Sequence, residues 1–279
     1  MEKRTGRTII VTGASSGIGA YCAGALQADG WRVFATARTP GDIAALEARG
    51  IEAFYLDYRE TPSIAALVEA VLARTGGGLD ALFNNGGYAQ PGAVEDLPVA
   101  ALREQFEANF FGWHELTRRL VPVMRSQGHG RIVHCSSILG LTPVKWRGAY
   151  VASKHALEGL MLCLRAELAG SGVEVSLIEP GPIQSKIATN GLSWFERNID
   201  AEASVHRAAY GAQLARLRAG GVKSRFKLQP DAVYKVLRHA LDHPHPRPHY
   251  VVTTPARFGV ILKRILPARL FYRLLASQA

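Results

Sequence analysis

Tyr150 and Lys154 stand four residues apart in Tyr150-Val-Ala-Ser-Lys154, thirteen residues after Ser137. On a helix, positions four apart share one face, so the phenol and the ammonium point into the same space. A neighbouring positive charge favours the phenolate, and is expected to bring Tyr150 below the usual tyrosine pKa near 10. A tyrosine tuned in this way gives a proton to a carbonyl, or takes one from an alcohol. Ser137, on a strand-end loop facing that helix, is placed to hydrogen-bond the same oxygen. Ser136 is the neighbouring alternative, and the thirteen-residue gap to Tyr150 favours Ser137.

What lifts this pair above coincidence is the order of the residues upstream of it, beginning at the amino terminus. Arg7-Thr-Ile-Ile-Val-Thr12 is a short β-branched run that reads as a buried strand. It enters Gly13-Ala-Ser15-Ser16-Gly17-Ile18-Gly19, after which apolar residues recur at helical spacing until Gly30. Strand, glycine turn and helix together form a phosphate cradle: glycines let the backbone approach, and the helix start offers free N–H groups and a positive dipole end. The spacing is G-x-x-x-G-x-G, which departs from the G-x-G-x-x-G fingerprint. The second strand, Trp31 to Ala37, is followed by Arg38. A carboxylate at that point would hold an adenosine 2′-hydroxyl, whereas a guanidinium holds a 2′-phosphate. NADP(H) is therefore expected over NAD(H).

With these motifs assembled in order, the chain resembles the short-chain dehydrogenase/reductase family, in its compact single-domain branch, from about residue 7 to 185. Gly13, Ser15, Ser16, Gly17, Ile18 and Gly19 look like the family's cofactor loop, and Asp57 matches the acidic residue that holds the adenine amino group. Asn84-Asn85-Gly86-Gly87 is similar to its Asn-Asn-Ala-Gly turn, with Gly86 in place of the usual alanine. Asn109, Ser137, Tyr150 and Lys154 match the catalytic tetrad, and Pro180-Gly181-Pro182-Ile183 the segment that meets the nicotinamide amide. The resemblance implies that Tyr150 is the general acid and base, that Lys154 also holds the nicotinamide ribose, and that Asn109 holds a water linking Lys154 to solvent. A narrower likeness, to retinol dehydrogenases, 17β-hydroxysteroid dehydrogenases and bacterial NADP-dependent aldehyde reductases, implies an apolar aldehyde or ketone as substrate. A non-catalytic dinucleotide-binding regulator of the same fold is the rival reading, and the intact tetrad argues against it. The resemblance also implies a homodimer or homotetramer through the helices carrying Asn109 and Tyr150.

The elements that must position these residues are legible as well. Strands alternate with helices through the first two-thirds of the 279 residues, which implies an α/β, Rossmann-like, doubly wound parallel sheet of about seven strands in one domain. The expected strands beyond the second are 53–56, 79–83, 131–135, 173–178 and 249–253. Residues 1–255 are expected to form the dinucleotide-binding domain, with 184–229 as a substrate lid. Within the lid, Trp194, Phe195, Tyr210 and Phe226 either line an apolar pocket or pack on the core. Tyr88, Leu139 and Trp194 are the candidate substrate contacts.

Cys22, Cys135 and Cys163 are scattered, which fits free thiols in a reducing cytoplasm. The first residues lack the apolar stretch of a signal peptide, and no run is long enough to span a bilayer. The net charge of +10 is dispersed and belongs to no nucleic-acid-binding module, so no nucleic-acid partner is expected. His239, His243, His245 and His249 cluster around prolines and read as a stiff loop, with no metal expected. The tail 256–279 is apolar and basic, with apolar residues at helical spacing, a break at Pro267 and no acidic residue. It fits a membrane surface, the active-site mouth or a subunit partner.

Overall fold

In the computed structural model, residues 6–219 and 226–277 are described. Residues 220–225 of the expected lid, and the two chain ends, lie outside them. Among the described residues seven strands form one all-parallel sheet: β1 Thr8–Val11, β2 Arg32–Ala37, β3 Glu52–Tyr55, β4 Ala81–Asn84, β5 Gly130–Cys135, β6 Val173–Pro180 and β7 His249–Val252. Their order is β3-β2-β1-β4-β5-β6-β7. Parallel strands are joined by crossover helices, so both faces are covered. The strands accordingly read as continuous apolar runs: Ile9, Ile10, Val11, Leu82, Phe83, Ile132 and Ile178 are all buried.

The chain builds outward from β1 to β3, then returns across β1 to place β4 on its other side. That reversal opens a crevice at the carboxyl ends of β1 and β4, where the Gly13 loop and the Asn85 turn face each other. Helix α1 (Gly17–Ala28) leaves β1, α2 (Pro40–Glu47) leaves β2, and α3 (Thr61–Thr75) leaves β3. After β4 come α4 (Val99–Phe106), a π-helical turn at Glu107–Phe111 and α5 (Gly112–Ser126). The long α6 (Gly148–Glu167) follows β5 and a 3₁₀ turn at Ile138–Gly140.

The expected strands lie within two or three residues of the observed ones. The segment after β6 breaks the alternation as anticipated, and it does so with two helices, α7 (Ile187–Asn198) and α8 (Arg207–Arg218). They carry a small core of their own, in which Phe195 and Tyr210 pack with Ala93 and Ile199. Of the two open readings of the lid aromatics, core packing therefore holds for Phe195 and Tyr210. Helix α9 (Asp231–Asp242) then leads to β7. The tail forms α10 (Thr254–Ile265) and α11 (Ala268–Ser277), separated at Pro267, whose ring and missing N–H disfavour continuing the helix. Among the described residues no helix is long and apolar enough to cross a membrane.

Candidate active site

The glycine loop is shaped by contacts too close for any other residue. Gly13 has φ of 63°, and a Cβ there would lie 2.4 Å from the Gly86 Cα. A Cβ on Gly19 would lie 2.2 Å from the Gly13 carbonyl oxygen. A Cβ on Gly86 would come within 3.1 Å of the Gly13 nitrogen, so glycine at this position relieves a tight backbone approach. Thr12 locks the two loops together: its hydroxyl accepts from the amides of Asn85 at 2.8 Å and Gly86 at 3.1 Å. The Asn85 side chain donates to the carbonyl of Thr12 at 3.1 Å.

Beside this cradle the start of α1 is open. Ser16, its first flanking residue, makes no side-chain capping bond, and the first turn holds no acidic residue. Free amides and the positive helix end thus face the crevice, a donor set that suits a pyrophosphate. Arg38 lies exposed at the end of β2, and its charge reaches the Asp57 carboxylate. Asp57 is buried after β3, and Arg59 grips it at 2.6 Å while also meeting Glu104 at 2.8 Å. Burial raises the Asp57 pKa, but the Arg59 contacts and Arg38 outweigh it, and the net direction is down.

Tyr150 and Lys154 occupy successive turns of α6, both buried, as the spacing required. The turn carrying Ser137 to Gly140 packs against that helix. The Lys154 ammonium donates to the carbonyl of Cys135 at 3.0 Å and lies 3.9 Å from the ring centroid of Trp113. Burial pushes its pKa down to about 8, against the opposing pull of Cys135 and Glu158. For Tyr150 the direction differs from the sequence expectation. Burial drives its pKa up, Cys135 adds to this, and Ser137 and Arg147 only partly oppose it. Lys154 sits 5.8 Å from the phenol ring centroid and spends its charge on the Cys135 carbonyl and the indole. Desolvation therefore outweighs the expected charge effect, and the protein alone holds the phenol protonated.

Asn109 is fully buried in the π-helical turn, a local widening common at functional sites. Its amide donates to the Tyr88 carbonyl at 2.8 Å, and its side-chain oxygen accepts from the Tyr88 amide at 3.2 Å. It thereby fixes the loop on which Tyr88 sits. Tyr88 stacks on Trp194 with ring centroids 4.1 Å apart, so these two substrate candidates meet. Gln90 ties the same loop to α7, donating to the Trp194 carbonyl at 3.3 Å and accepting from Asn198 at 2.7 Å. Leu139 is half-buried, and its amide donates to the Ser137 hydroxyl at 3.1 Å. Across the crevice, Pro180 ends β6, Gly181 donates to Val252 O at 3.0 Å, and buried Ile183 pairs with Leu228.

Several neighbours escaped the sequence reading. Trp113 is four residues beyond Asn109, and its indole N–H donates to Gly86 O at 2.8 Å while its face receives Lys154. Helical spacing from Asn109 was the available signal. Arg147 precedes Tyr150 by three residues and lowers its pKa. One turn beyond Lys154, Glu158 is buried with neither carboxyl oxygen hydrogen-bonded. Its nearest cation is His249 Nδ1 at 3.6 Å, and that ring is held at 2.5 Å by Glu179. Burial and the Glu179 charge push the Glu158 carboxyl up to about 7. The histidines of the proline loop are otherwise structural: His239 meets the Tyr250 hydroxyl at 2.8 Å and stacks on His243.

Comparison with known proteins agrees with this arrangement. The short chain dehydrogenase family model matches residues 7–194. The uncharacterized oxidoreductase YbbO of Escherichia coli (strain K12) is 37% identical over 269 residues, covering 96% of this chain and 94% of that protein. A short chain dehydrogenase/reductase from Burkholderia phymatum, solved in complex with NAD, superposes with a TM-score of 0.79 at 26% identity, over 95% of each chain. An actinorhodin polyketide ketoreductase solved with NADPH superposes with a TM-score of 0.71 at 29% identity, over 90% of this chain and 96% of that one. With the family model matching well over half of its length, the chain belongs to the short-chain dehydrogenase family of oxidoreductases.

Proposed function

We propose that the protein is an NADP(H)-dependent reductase of apolar aldehydes or ketones, run in reverse as an alcohol dehydrogenase. The observation that carries this reading is the buried wall of α6, where Tyr150 and Lys154 face the Ser137 turn beside an uncapped helix start. The dinucleotide, when bound, supplies the hydride. Amides from Ser15 to Gly19, with the Ser15 and Ser16 hydroxyls, would hold its phosphates, Gly13 would let the backbone approach them, and Arg38 would hold the 2′-phosphate. Asp57 would take the adenine amino group, Asn85 and Gly86 would line the crevice, and Pro180, Gly181 and Ile183 would meet the nicotinamide amide.

Tyr150 Oη gives its proton to the carbonyl oxygen, and a phenol held protonated by burial suits that direction. Ser137 Oγ orients the same oxygen. Lys154 Nζ returns a proton to Tyr150, and Asn109 keeps a path open from Lys154 to solvent. Tyr88, Leu139 and Trp194 supply an apolar wall that selects the substrate. The absence of a carboxylate at residues 37 and 38, with Arg38 exposed there, supports NADP(H) over NAD(H). The free cysteines support a reducing, cytoplasmic setting. Phe111, exposed on the π-helical turn, supports a homodimer or homotetramer through α5 and α6.

The test is turnover of aldehydes, ketosteroids and retinal with NADPH and with NADH. We expect kcat/KM to favour NADPH by about tenfold or more, the worth of one good charged contact to the 2′-phosphate. Equal values would overturn the cofactor assignment. NADPH binding with no turnover of any of the three classes would overturn the substrate assignment.

A further inference from the structure

We propose that α10 and α11 dock on an anionic lipid surface and turn the substrate side of the site toward it, so that apolar substrate arrives from the lipid. The docking stands on the helices themselves; the delivery of substrate rests on the function proposed above.

The two helices leave large apolar side chains in solvent. Phe258 is 61% exposed, Ile261 53% and Ile265 67%, and their spacing of three and four residues makes one stripe along α10. Leu270 and Leu274 continue the stripe on α11, with Tyr272 beside them, all exposed. Folded surfaces seldom leave so contiguous an apolar stretch without a partner. Arg264, Arg269 and Arg273 accompany it, Arg257 and Lys263 donate to the carbonyls of Val251 and Leu141, and residues 256–279 contain no acidic residue. Several arginines elsewhere meet carboxylates, as Arg32 meets Glu52 and Arg119 meets Glu115. An amphipathic helix that is apolar on one side and purely cationic around it matches the headgroup region of an anionic bilayer. A second copy of the chain is the poorer occupant. A two-fold contact would bring like-charged tails face to face, with no acid in the tail to offset their cations.

The attachment of α10 fixes how such a surface meets the site. Thr253 takes φ of 85°, an outlier for a β-branched residue, and its hydroxyl accepts from the Ala256 amide at 3.4 Å to start the helix. A Cβ on Gly181 would lie 2.2 Å from Thr253 Oγ1 and 3.1 Å from the Ala256 Cβ, so the helix start rests directly on the Pro180–Ile183 segment. Farther along, Lys263 donates to the carbonyl of Leu141, just beyond the Ser137 turn. The helix is therefore clamped to both Gly181 and Leu141, next to two segments that flank the proposed site.

The full-length protein is sedimented with vesicles of phosphatidylcholine alone and with added phosphatidylglycerol. A Phe258→Glu, Ile265→Glu double variant is run beside it, with its melting temperature and its turnover of a short water-soluble aldehyde as controls. The wild type is expected to bind the anionic vesicles at least about tenfold better than neutral ones, and the variant to stay in the supernatant. With a long-chain aldehyde dissolved in the vesicles, the variant's KM rises while the short aldehyde is turned over as before. Failure of the wild type to bind, or equal binding to both vesicle types, overturns the proposal. Loss of a dimer in the variant, without vesicle binding by the wild type, overturns it in favour of a subunit interface. Sedimentation is read without turnover, so failure of the proposed reaction would leave it decisive.

Discussion

Tyr150, Lys154 and Glu158 lie on successive turns of α6 and all three are buried, whereas α7 leaves Trp194 half-exposed and α10 leaves Phe258 and Ile265 in solvent. The first region is fixed from several sides at once. Lys154 is held by a carbonyl and an indole, and Asn109 by the backbone N–H and C=O of one residue, Tyr88. The second region is fastened by a few contacts, such as Gln90 to Trp194 and Lys263 to Leu141. Burial perturbs pKa values in the first and leaves apolar area for binding in the second. The chemistry thus resides where the side chains have one available arrangement, and the choice of substrate where they have room to accommodate different molecules.

This contrast predicts effects of decreasing size from the wall outward. Lys154→Met removes a charge from the buried wall, and turnover is expected to fall about a hundredfold or more, with weaker NADPH binding measured by fluorescence titration. Unchanged turnover would break the contrast at its strongest point. Arg38→Asp, at the rim of the crevice, is expected to lower kcat/KM for NADPH by roughly tenfold to a hundredfold while sparing NADH. A loss equal for both cofactors would mean that Arg38 acts on the fold.

A pH profile sharpens the same comparison. Lys154 titrates at about 8 in the protein alone, so kcat/KM for NADPH is expected to decline as pH rises through that value and to hold below it. On the substrate side, Trp194→Ala is expected to raise KM for a bulky apolar aldehyde about fivefold and to leave kcat nearly unchanged, since it removes one stacked ring from the wall. The smallest effect concerns stability. Glu158 has its folded pKa raised above the unfolded carboxyl value, so the protonated form stabilises the fold fully below the unfolded pKa. That contribution is lost as pH rises through about 7. The melting temperature of wild type should drop across this window, and that of Glu158→Gln should drop less; parallel curves would remove Glu158 from the account.

The sheet was readable because parallel strands buried on both faces are continuous apolar runs, and each glycine turn marks a strand's end. The spacing of Tyr150 and Lys154 was readable because helical geometry is local. The direction of the Tyr150 pKa was not, because it depends on how deeply the phenol is buried and on Lys154 turning to the Cys135 carbonyl, both consequences of the packed whole. Glu158 escaped notice for the same reason: its partners Glu179 and His249 come from β6 and β7 and meet only in the folded chain. Phe195 and Tyr210 are ambiguous in sequence because an aromatic side chain serves a core and a pocket equally well.

The most direct test of the central claim is a single-turnover measurement of NADPH oxidation by an apolar aldehyde, with wild type and Tyr150→Phe at matched cofactor saturation. The account predicts that the variant binds NADPH as wild type does and oxidises it slower by about a hundredfold to ten-thousandfold, the contribution of a positioned general acid. Equal rates would contradict it, and would place the proton donor somewhere other than the wall of α6.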